Sequence, residues 1–334
     1  MEETQINPIY TVYIVSGSTK YNVSPVVDTL DFSHQKKQMA KSATINLMNQ
    51  KVGDKWLTAL LNVRDRVFIY ANDGAGEKEV FRGFVWSRPY KSSLEDRTLQ
   101  LKCYTNLIYF QESEESAFFP SGKSTKDVCQ SLCDKWGVKL EYTYESITHS
   151  KLPLRGKLSD IFTDDILNLV KDRTGSKYVI DSVKDTIRIK KVGTNSKIYR
   201  FIAGENTIQT NSECTMDGMV TKVVIVGKAD NNEREPIEAT VSGKTSEYGT
   251  LQKIINRDEN TSLADAKKEA QSIIDEDGTP KWEYELKAPD IPWIELGDKV
   301  YVDAGDLSGY FIVVGIERSI SVKRKEMTLT LEKA

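Results

Sequence analysis

The chain has 334 residues, of which 39% are hydrophobic and 28% charged, enough for two or three domains with a core each. Its 46 basic and 49 acidic residues leave a net charge of −3, so no specific nucleic-acid binding and no attraction to a membrane are expected. No apolar run approaches the roughly 20 residues that cross a bilayer, and the acidic residues 1–5 are not typical of a signal peptide.

Residues 1–111 are predicted to form a β-domain. Two short strands flank a Gly-containing stretch at 16–18, which is typical of a hairpin turn. The segment 43–48 alternates small or apolar side chains with polar ones, as in a strand with one buried face. A short helical turn is predicted at 56–61, and three further strands follow it.

Residues 112–196 are predicted to form a small α+β insert. The acidic, polar run 112–116 is interpreted as the boundary loop that precedes it. Ser124 is a suitable N-cap because its hydroxyl can accept a hydrogen bond from a first-turn N–H, and Gly137 is a suitable C-terminal stop. A helix of about three turns is therefore predicted between these two residues.

A second helix of the insert is predicted from Ser159 to Arg173, with Gly175 as its stop. The residues expected to face inward are Phe162, Ile166, Leu169 and Val170. Two short β-rich runs surround Lys184 and Asp185, which indicates a hairpin. The insert is thus predicted to combine two helices with a small sheet.

Residues 197–334 are predicted to form a second β-domain. The segment 220–226 is apolar enough for a central strand. A charged, Asn-rich loop is predicted at 229–236, and the pair at 261–262 is expected to cap a helix. This helix leads the chain into the last group of strands.

The two β-domains contain the same motifs in the same order. Each has an Asp-Lys or Asp-Arg entry, a strand, a Gly-containing turn, a second strand and an alternating third strand. The motifs are 65–70, 80–86 and 97–101 in the first domain, and 297–302, 310–316 and 327–331 in the second. The similarity extends one strand upstream, where 43–48 corresponds to 282–286, and superposition is expected to align 67–70 with 300–303. Such a duplication gives an oligomer twice as many quasi-equivalent contacts, which indicates assembly rather than catalysis.

Histidines and glycine-rich segments give little support for a chemical site. His34 and His149 lie in polar stretches with no Cys or carboxylate at metal-ligand spacing. The stretch 74–76 is interpreted as a hairpin tip, because no Lys-Ser/Thr follows it as in a phosphate-binding loop. No metal, no cofactor and no nucleotide chemistry are therefore predicted.

The four cysteines are expected to be reduced and structural, because they are too few and too scattered for a disulfide framework. They are Cys103, Cys129, Cys133 and Cys214. Cys129 and Cys133 share one face of the first insert helix and could form half of a metal site. No second Cys or His pair completes such a site, so core packing is favoured.

Glycoside hydrolysis is the main enzymatic alternative, because it needs only two carboxylates at a set separation. The candidate groups at 164–165, 114–115 and 275–277 are each interpreted as solvated. The basic runs 34–41 and 323–325 are interpreted as loops, with partner contact as a secondary interpretation of the first. No catalytic residue is predicted, and the chain is not expected to be an enzyme.

The order of the motifs resembles the central hub proteins of contractile phage tails. This group includes the late control D proteins and the XkdQ-like proteins of Gram-positive prophages. The resemblance covers nearly the whole chain and is carried by 166–180, by 294–302, and by the strand 310–316 with its Met-Thr-Leu-Thr-Leu ending. It implies a mainly β fold in which two related tube-like β-barrel or sandwich domains flank the α+β insert.

The resemblance also implies a function and partners. A homotrimer would form a pseudo-sixfold ring and act as a symmetry adaptor between a hexameric tail tube protein and a threefold central spike protein. Further partners would be other baseplate proteins and the tape-measure protein, within the baseplate of a virion or tail-like bacteriocin assembled in the bacterial cytoplasm. Two alternatives stay open: a peptidoglycan-cleaving tail protein, with glycoside hydrolase or peptidase activity, and a carbohydrate-binding β-protein.

Overall fold

The computed structural model describes residues 7–36, 38–93, 97–228, 235–257 and 262–334. The acidic segment 1–5, residues 229–234 of the predicted loop, and Thr261 of the predicted cap lie outside the described residues. Strands make up 51% and helices 19%, which confirms the mainly β fold class. Among the residues described, no helix is both long and apolar enough to span a bilayer.

The structure is assembled from short strands joined by a few helices. The strands of the first half are β1 (Ile9–Ser16), β2 (Thr19–Asn22), β3 (Val27–Gln35), β4 (Ser42–Met48), β5 (Lys51–Val52), β6 (Lys55–Trp56), β7 (Arg66–Asn72), β8 (Glu77–Ser87), β9 (Tyr90–Ser92), β10 (Arg97–Tyr104), β11 (Glu114–Phe119) and β12 (Lys139–Thr143). Those of the second half are β13 (Leu152–Lys157), β14 (Tyr178–Val183), β15 (Thr186–Lys191), β16 (Tyr199–Ile202), β17 (Gln209–Thr215), β18 (Lys222–Val226), β19 (Ile237–Ser242), β20 (Gln252–Asn256), β21 (Lys281–Pro289), β22 (Lys299–Ala304), β23 (Leu307–Ser321) and β24 (Lys325–Lys333).

The helices are α1 (Leu57–Leu60), α2 (Ile108–Glu112), α3 (Thr125–Lys135), α4 (Leu158–Asp160), α5 (Asn168–Thr174), α6 (Thr245–Tyr248) and α7 (Leu263–Asp277). A 3-10 turn covers Ser24–Val26, and a π-helical segment, Ile161–Leu167, joins α4 to α5. Most of the helices lie between β10 and β14 or between β19 and β21. Helical structure is therefore concentrated in two parts of the chain.

The chain divides into two compact units. Unit 1 contains residues 1–211 and 285–334, and unit 2 contains residues 212–284. Sequence patterns did not separate unit 2 from the rest of the predicted third domain. The three predicted domains, 1–111, 112–196 and 197–334, stay a prediction about which segments fold by themselves.

The main sheet, most of which belongs to unit 1, connects the N-terminal and C-terminal groups of strands. Its strand order is β17-β21-β24-β23-β3-β4-β10-β8-β7-β1-β2, with β22 and β16 added beside β23 and β9 beside β10. The central connection is the antiparallel pair of β3 and β23, in which Ile316 lies opposite His34. The long strand β23 pairs with β22 through its first half and with β3 through its second half. One continuous sheet therefore holds both groups of strands.

Alternating side chains along these strands build the core. In β7, Val67, Ile69 and Ala71 are buried, and the residues between them are partly exposed. This period of two follows from the pleat, which turns successive side chains to opposite faces. The predicted helical turn near Trp56 is confirmed as α1, with Leu57 buried.

The insert encloses a separate apolar cluster. Helix α3 begins as predicted: Ser124 Oγ accepts a hydrogen bond from the Asp127 N–H at 3.1 Å. The predicted stop of the second helix is also confirmed, because Gly175 has a φ of 70°, a left-handed conformation that glycine adopts without steric cost. Lys184 and Asp185 form the predicted hairpin turn between β14 and β15, with φ values of 50° and 64°.

The face of the second insert helix was predicted incorrectly at one position. Leu169 was expected to face inward, but it is 37% exposed, whereas Leu167 is fully buried. The π-helical segment Ile161–Leu167 is the physical reason. Its i→i+5 hydrogen bonds use more residues per turn than an α-helix, so the apolar face shifts along the sequence.

The interpretation of 112–116 as a solvated loop was also wrong, whereas the domain boundary placed there stays a prediction. Residues from Glu114 onward form β11, which pairs with β13. Glu115 is buried rather than solvated, because its carboxylate accepts hydrogen bonds from Lys135 Nζ at 2.7 Å and from the Trp136 indole at 3.0 Å. A polar strand whose side chains are hydrogen-bonded to distant residues has the same composition as a solvated loop. Composition alone therefore could not separate the two, and this explains the error.

Unit 2 is a small α/β body. Its sheet has the order β19-β18-β20, so the apolar segment predicted as a central strand is indeed central. Helix α7 begins at the predicted cap, where Ser262 Oγ accepts a hydrogen bond from the Asp265 N–H. The helix packs Ala266 and Ala270 against Val223 and Ile225 of β18.

Candidate assembly surfaces

Two groups of five strands in the main sheet have the same order. The first β-module is β7-β8-β10-β4-β3, and the second β-module is β22-β23-β24-β21-β17. In each module the first three strands lie side by side in the order in which their motifs follow one another in the sequence. The strand that precedes these motifs in the chain, β4 or β21, pairs with the third strand, β10 or β24. The duplication predicted from sequence spacing thus appears as a repeated strand order.

Local details of the two β-modules also correspond. Burial alternates in the same way along their first strands, where Val67 and Ile69 match Val300 and Val302. The second strand of each module contains a bulge where it pairs with the third strand. At the bulge, one residue of the second strand has no partner in the third strand. A bulge bends a strand and increases its twist, so both modules are curved at the same point.

The second strand of each β-module also contains a glycine, next to the bulge in β23 and three residues before it in β8. A Cβ atom on Gly83 of β8 would lie 2.2 Å from the carbonyl oxygen of Tyr104, which belongs to the paired strand. A Cβ atom on Gly315 of β23 would lie 2.1 Å from Gln35 Oε1 and 2.8 Å from the Thr330 hydroxyl of β24. The close approach of the neighbouring backbone therefore requires glycine at position 83, whereas at position 315 neighbouring side chains occupy the space that a Cβ atom would need.

The outer face of the first β-module, meaning the face turned away from its core, carries cations packed on aromatic rings. The Arg66 guanidinium lies 4.7 Å from the ring centre of Phe84, and the Arg82 guanidinium lies 5.1 Å from that of Phe68. Asp185 of the insert hairpin pairs with both arginines, at 2.7 Å and 3.5 Å. The insert hairpin is thereby attached to this face.

The outer face of the second β-module has a similar composition. Tyr301 and Tyr310 pack edge to face, with ring centres 5.3 Å apart. The Arg200 guanidinium lies 5.0 Å from the Tyr301 ring centre, and the Lys299 ammonium lies 5.9 Å from that of Tyr310. Tyr310 is 54% exposed. Half-exposed aromatic and cationic side chains are typical of protein–protein contact surfaces, so both outer faces, the first of them partly covered by the insert hairpin, are candidate assembly surfaces.

A buried carboxylate attaches β23 to the first strand of the chain. Asp290 accepts hydrogen bonds from the Tyr10 hydroxyl at 2.5 Å and from Arg318 Nε at 2.9 Å. Burial raises the pKa of Asp290 above its usual value, although the Arg318 charge and the Tyr10 hydrogen bond act in the opposite direction. A charge this deeply buried is tolerated because both oxygens have partners.

A second buried carboxylate attaches the insert to both β-modules. Asp181 of β14 lies 3.8 Å from Lys41 Nζ and 3.6 Å from Arg188, and Arg188 also pairs with Glu295 at 2.5 Å. Burial acts to raise the pKa of Asp181, but the charges of Lys41, His34 and Arg188 outweigh it and hold the pKa below its usual value. Sequence analysis missed this network. Its signal was a charged residue within the apolar run 178–183.

The two histidines are packed inside the protein. His34 is 2% exposed, and burial lowers its pKa to about 4, with Asp181 acting in the opposite direction. His149 is also buried, and its Nε2 lies 2.9 Å from the Thr125 hydroxyl. Burial lowers the pKa of His149 as well. Each imidazole is therefore held in its neutral form near pH 7.

The cysteines pair with no other thiol. Cys103, Cys129 and Cys133 are buried and Cys214 is exposed, and all four are free. Burial raises the pKa of Cys133 to about 12 and that of Cys129 well above the ordinary thiol value. In the part of the chain that the structure describes, no cluster of three or more His, Cys, Asp or Glu residues could hold a metal ion.

The candidate carboxylate pairs lie in three separate places. Asp164 and Asp165 are exposed on the π-helical segment, where burial and the Asp164 charge raise the pKa of Asp165. The group at 275–277 lies in the last turn of α7. Glu115 lies in the insert with Lys135, and its hydrogen bond from that lysine lowers its pKa although burial acts against it. The basic run from His34 begins within β3 rather than in a loop.

Comparison with solved structures identifies the fold as that of phage tail and type VI secretion proteins. A 43 kDa tail protein of prophage MuSo2 from Shewanella oneidensis is 13% identical, with a TM-score of 0.69 over 97% of this chain and 98% of that one. A tail protein from Neisseria meningitidis is 12% identical, with a TM-score of 0.70 over 97% and 96%. An E. coli component of the type VI secretion system, described as similar to the T4 tail proteins gp27 and gp5, is 10% identical, with a TM-score of 0.57 over 97% and 76%.

The family is shown by the sequence itself. Residues 30–332 match the YQBQ-like family, and the chain therefore belongs to this family. The search of curated proteins found no match. The fold similarity extends over nearly the full length of the two tail proteins, so both β-modules and the insert are included in it.

Proposed function

We propose that the protein is a non-enzymatic baseplate hub of a contractile phage tail or a tail-like bacteriocin. In this proposal three copies form a ring in which three first β-modules alternate with three second β-modules. One side of the ring meets the hexameric tail tube protein, and the other side meets the threefold central spike protein. The observation that carries the proposal is the repeated five-strand order within one continuous sheet.

Symmetry divides the surface of such a ring into two classes. Features present in both β-modules occur six times in a trimer, and the cation–aromatic outer faces are of this kind. Features present once per chain occur three times, and these are the insert and unit 2. Contacts with a hexameric tube would use the first class, whereas contacts with a trimeric spike or with other baseplate proteins would use the second.

The fold and the family support this role. The tail protein of prophage MuSo2 and the tail protein from Neisseria meningitidis share the fold over nearly their full length. A structure with the same fold comes from a complex of VgrG with PdpA from Francisella. The buried ion pairs at Asp181 and Asp290 connect the insert and the two β-modules, as a rigid ring component needs. Passage of the tape-measure protein through the ring is part of the same proposal.

The stoichiometry of the complex with the tail tube protein tests this function. The tube protein encoded with this chain is mixed with it, and the complex is measured by native mass spectrometry. We expect three copies of this chain for each six tube subunits, a ratio of one to two. A ratio of one to one, or no complex, would contradict the adaptor role. Cleavage of murein on a zymogram would instead favour the peptidoglycan-cleaving alternative, and glycan binding by a stable monomer would favour the carbohydrate-binding one.

A further inference from the structure

A cavity of about 310 Å³ opens in unit 1 between the first β-module, the insert and the segment that precedes β22. Its volume is at the lower end of the range of small-molecule sites, about 300–1,000 Å³. Residues from all three parts of unit 1 line it, among them Tyr10, Lys78, Lys184, Trp293 and Arg318. A ligand in this cavity would therefore contact all three parts at once.

The cavity lining has an excess of positive charge. It contains five cationic side chains and two carboxylates. The cations are Lys41, Lys78, Arg82, Lys184 and Arg318, and the carboxylates are Glu79 and Glu295. Small sites with several convergent charges of one sign select ligands of the opposite sign. The lining therefore favours an anion.

Three of these cations are already neutralised. Arg82 pairs with Glu79 at 2.6 Å, Arg318 pairs with the buried Asp290 at 2.9 Å, and Lys41 lies 3.8 Å from the buried Asp181. The other carboxylate of the lining, Glu295, is bound from outside the cavity by Arg188 at 2.5 Å and by Lys190 at 3.2 Å.

Lys78 and Lys184 are the two remaining cations. Among the described residues, neither of them has a carboxylate within ion-pair distance. The carboxylate nearest to Lys184 in sequence, Asp185, is occupied by Arg66 and Arg82. Two lysines from different parts of unit 1 thus lie outside the ion pairs of the lining, although the hydrogen bond from Trp293 and, to a smaller extent, the Lys78 charge lower the pKa of the nearby Asp73.

Trp293 gives the cavity an apolar wall beside these charges. Its indole N–H donates a hydrogen bond to Asp73 Oδ2 at 2.7 Å, which fixes the orientation of the ring. The Lys78 ammonium lies 4.8 Å from the ring centre, so the charge and the aromatic surface are adjacent. A ligand with an anionic group and a small organic part matches this arrangement.

We propose that the cavity binds a small molecule that carries a phosphate group, held by Lys78 and Lys184. Lysine is a common point-charge partner of phosphate, and two lysines can neutralise a phosphate that carries up to two negative charges. The phosphate group connects the first β-module to the insert through these lysines, and its organic part contacts Trp293. Binding to the folded state alone stabilises that state by mass action, so the ligand strengthens the connections within unit 1.

The test uses the full chain and two probes, inorganic phosphate and glycerol phosphate. Thermal unfolding and isothermal titration calorimetry are measured at constant ionic strength, with sodium chloride as the balancing salt. We expect a saturable rise in Tm and a saturable heat for at least one probe. Tighter binding of glycerol phosphate assigns the site to a phosphate ester, and tighter binding of inorganic phosphate assigns it to the free anion.

The variant Lys78→Gln/Lys184→Asn tests the two side chains. Asn is chosen at 184 because it tolerates the positive φ of this turn residue. We expect the variant to keep its Tm without phosphate to within a few degrees and to bind the probe at least tenfold more weakly. Lys91→Gln, on an exposed strand outside the cavity, is the matched control and should bind as the wild type does. The absence of saturable binding of both probes to the wild type, or wild-type affinity in the double variant, would overturn the proposal.

Discussion

Replacement of His34 by leucine should remove a pH dependence of stability that the native protein has between pH 7 and pH 5. His34 is fully buried in β3, at the strand pair that joins the two β-modules, and its pKa falls to about 4. In the unfolded chain the imidazole has a pKa of about 6.5. The folded protein therefore binds this proton less readily than the unfolded chain does, so stability is full above pH 6.5 and decreases as the pH falls toward 4.

The two pKa values give the size of the effect. Linkage predicts a loss of about 2 kcal/mol between pH 7 and pH 5 from this one group, or roughly 3 °C in Tm for a chain of this length. The charged groups that act on His34 are Asp181, Lys41, Arg318 and Glu295. Asp181 titrates below its usual range and so does not contribute in this window.

The assay compares the Tm of wild type and His34→Leu at pH 5, 6 and 7. Groups other than His34 are present in both proteins, so their contributions cancel in the difference between the two curves. We expect the wild type to lose roughly 3 °C more than the variant on going from pH 7 to pH 5. Equal losses in both proteins would refute the reasoning that a neutral His34 is part of the folded core.

Three further predictions concern the insert, the thiols and the β-module junction. Leu167→Ala should lower the free energy of unfolding by about 2–5 kcal/mol and Leu169→Ala by less than about 1 kcal/mol, as measured by urea titration. A larger loss for Leu169→Ala than for Leu167→Ala would contradict the helix face that the π-helical segment places inward. A thiol reagent should modify only Cys214 in the native protein, as counted by intact mass, and a second rapid adduct would contradict the burial of the other three thiols. Arg318→Leu should cost about 3–5 kcal/mol because it leaves Asp290 buried without its cation, and adding Asp290→Asn should recover part of this loss; a double variant less stable than Arg318→Leu would contradict it.

Patterns that depend on local periodicity were predictable from the sequence. The alternation in 65–70 and 297–302 reports which face of a strand is buried, because the pleat imposes a period of two. Cap residues such as Ser124 and stop residues such as Gly175 act within one helical turn, and both were identified correctly. The repeated order of strands could be predicted from these local signals because the corresponding motifs occur in the same order along the chain.

Features that depend on distant partners were not predictable in this way. Glu115 appears in a polar run, and it is buried because Lys135 and Trp136 approach it from another element. The exposure of Leu169 follows from a π-helical segment that no propensity scale anticipates. The network around Asp181 joins side chains that are more than a hundred residues apart, so their proximity emerges only when the sheet is complete.

The mass of the assembled protein tests the central claim most directly. The claim is that two β-modules per chain convert a threefold ring into a pseudo-sixfold one, and it requires three chains per ring. Native mass spectrometry of the protein, alone and with its tail tube protein, should give a species containing three chains of 37.8 kDa each. A monomer under both conditions, or a ring of six chains on the tube, would contradict the account.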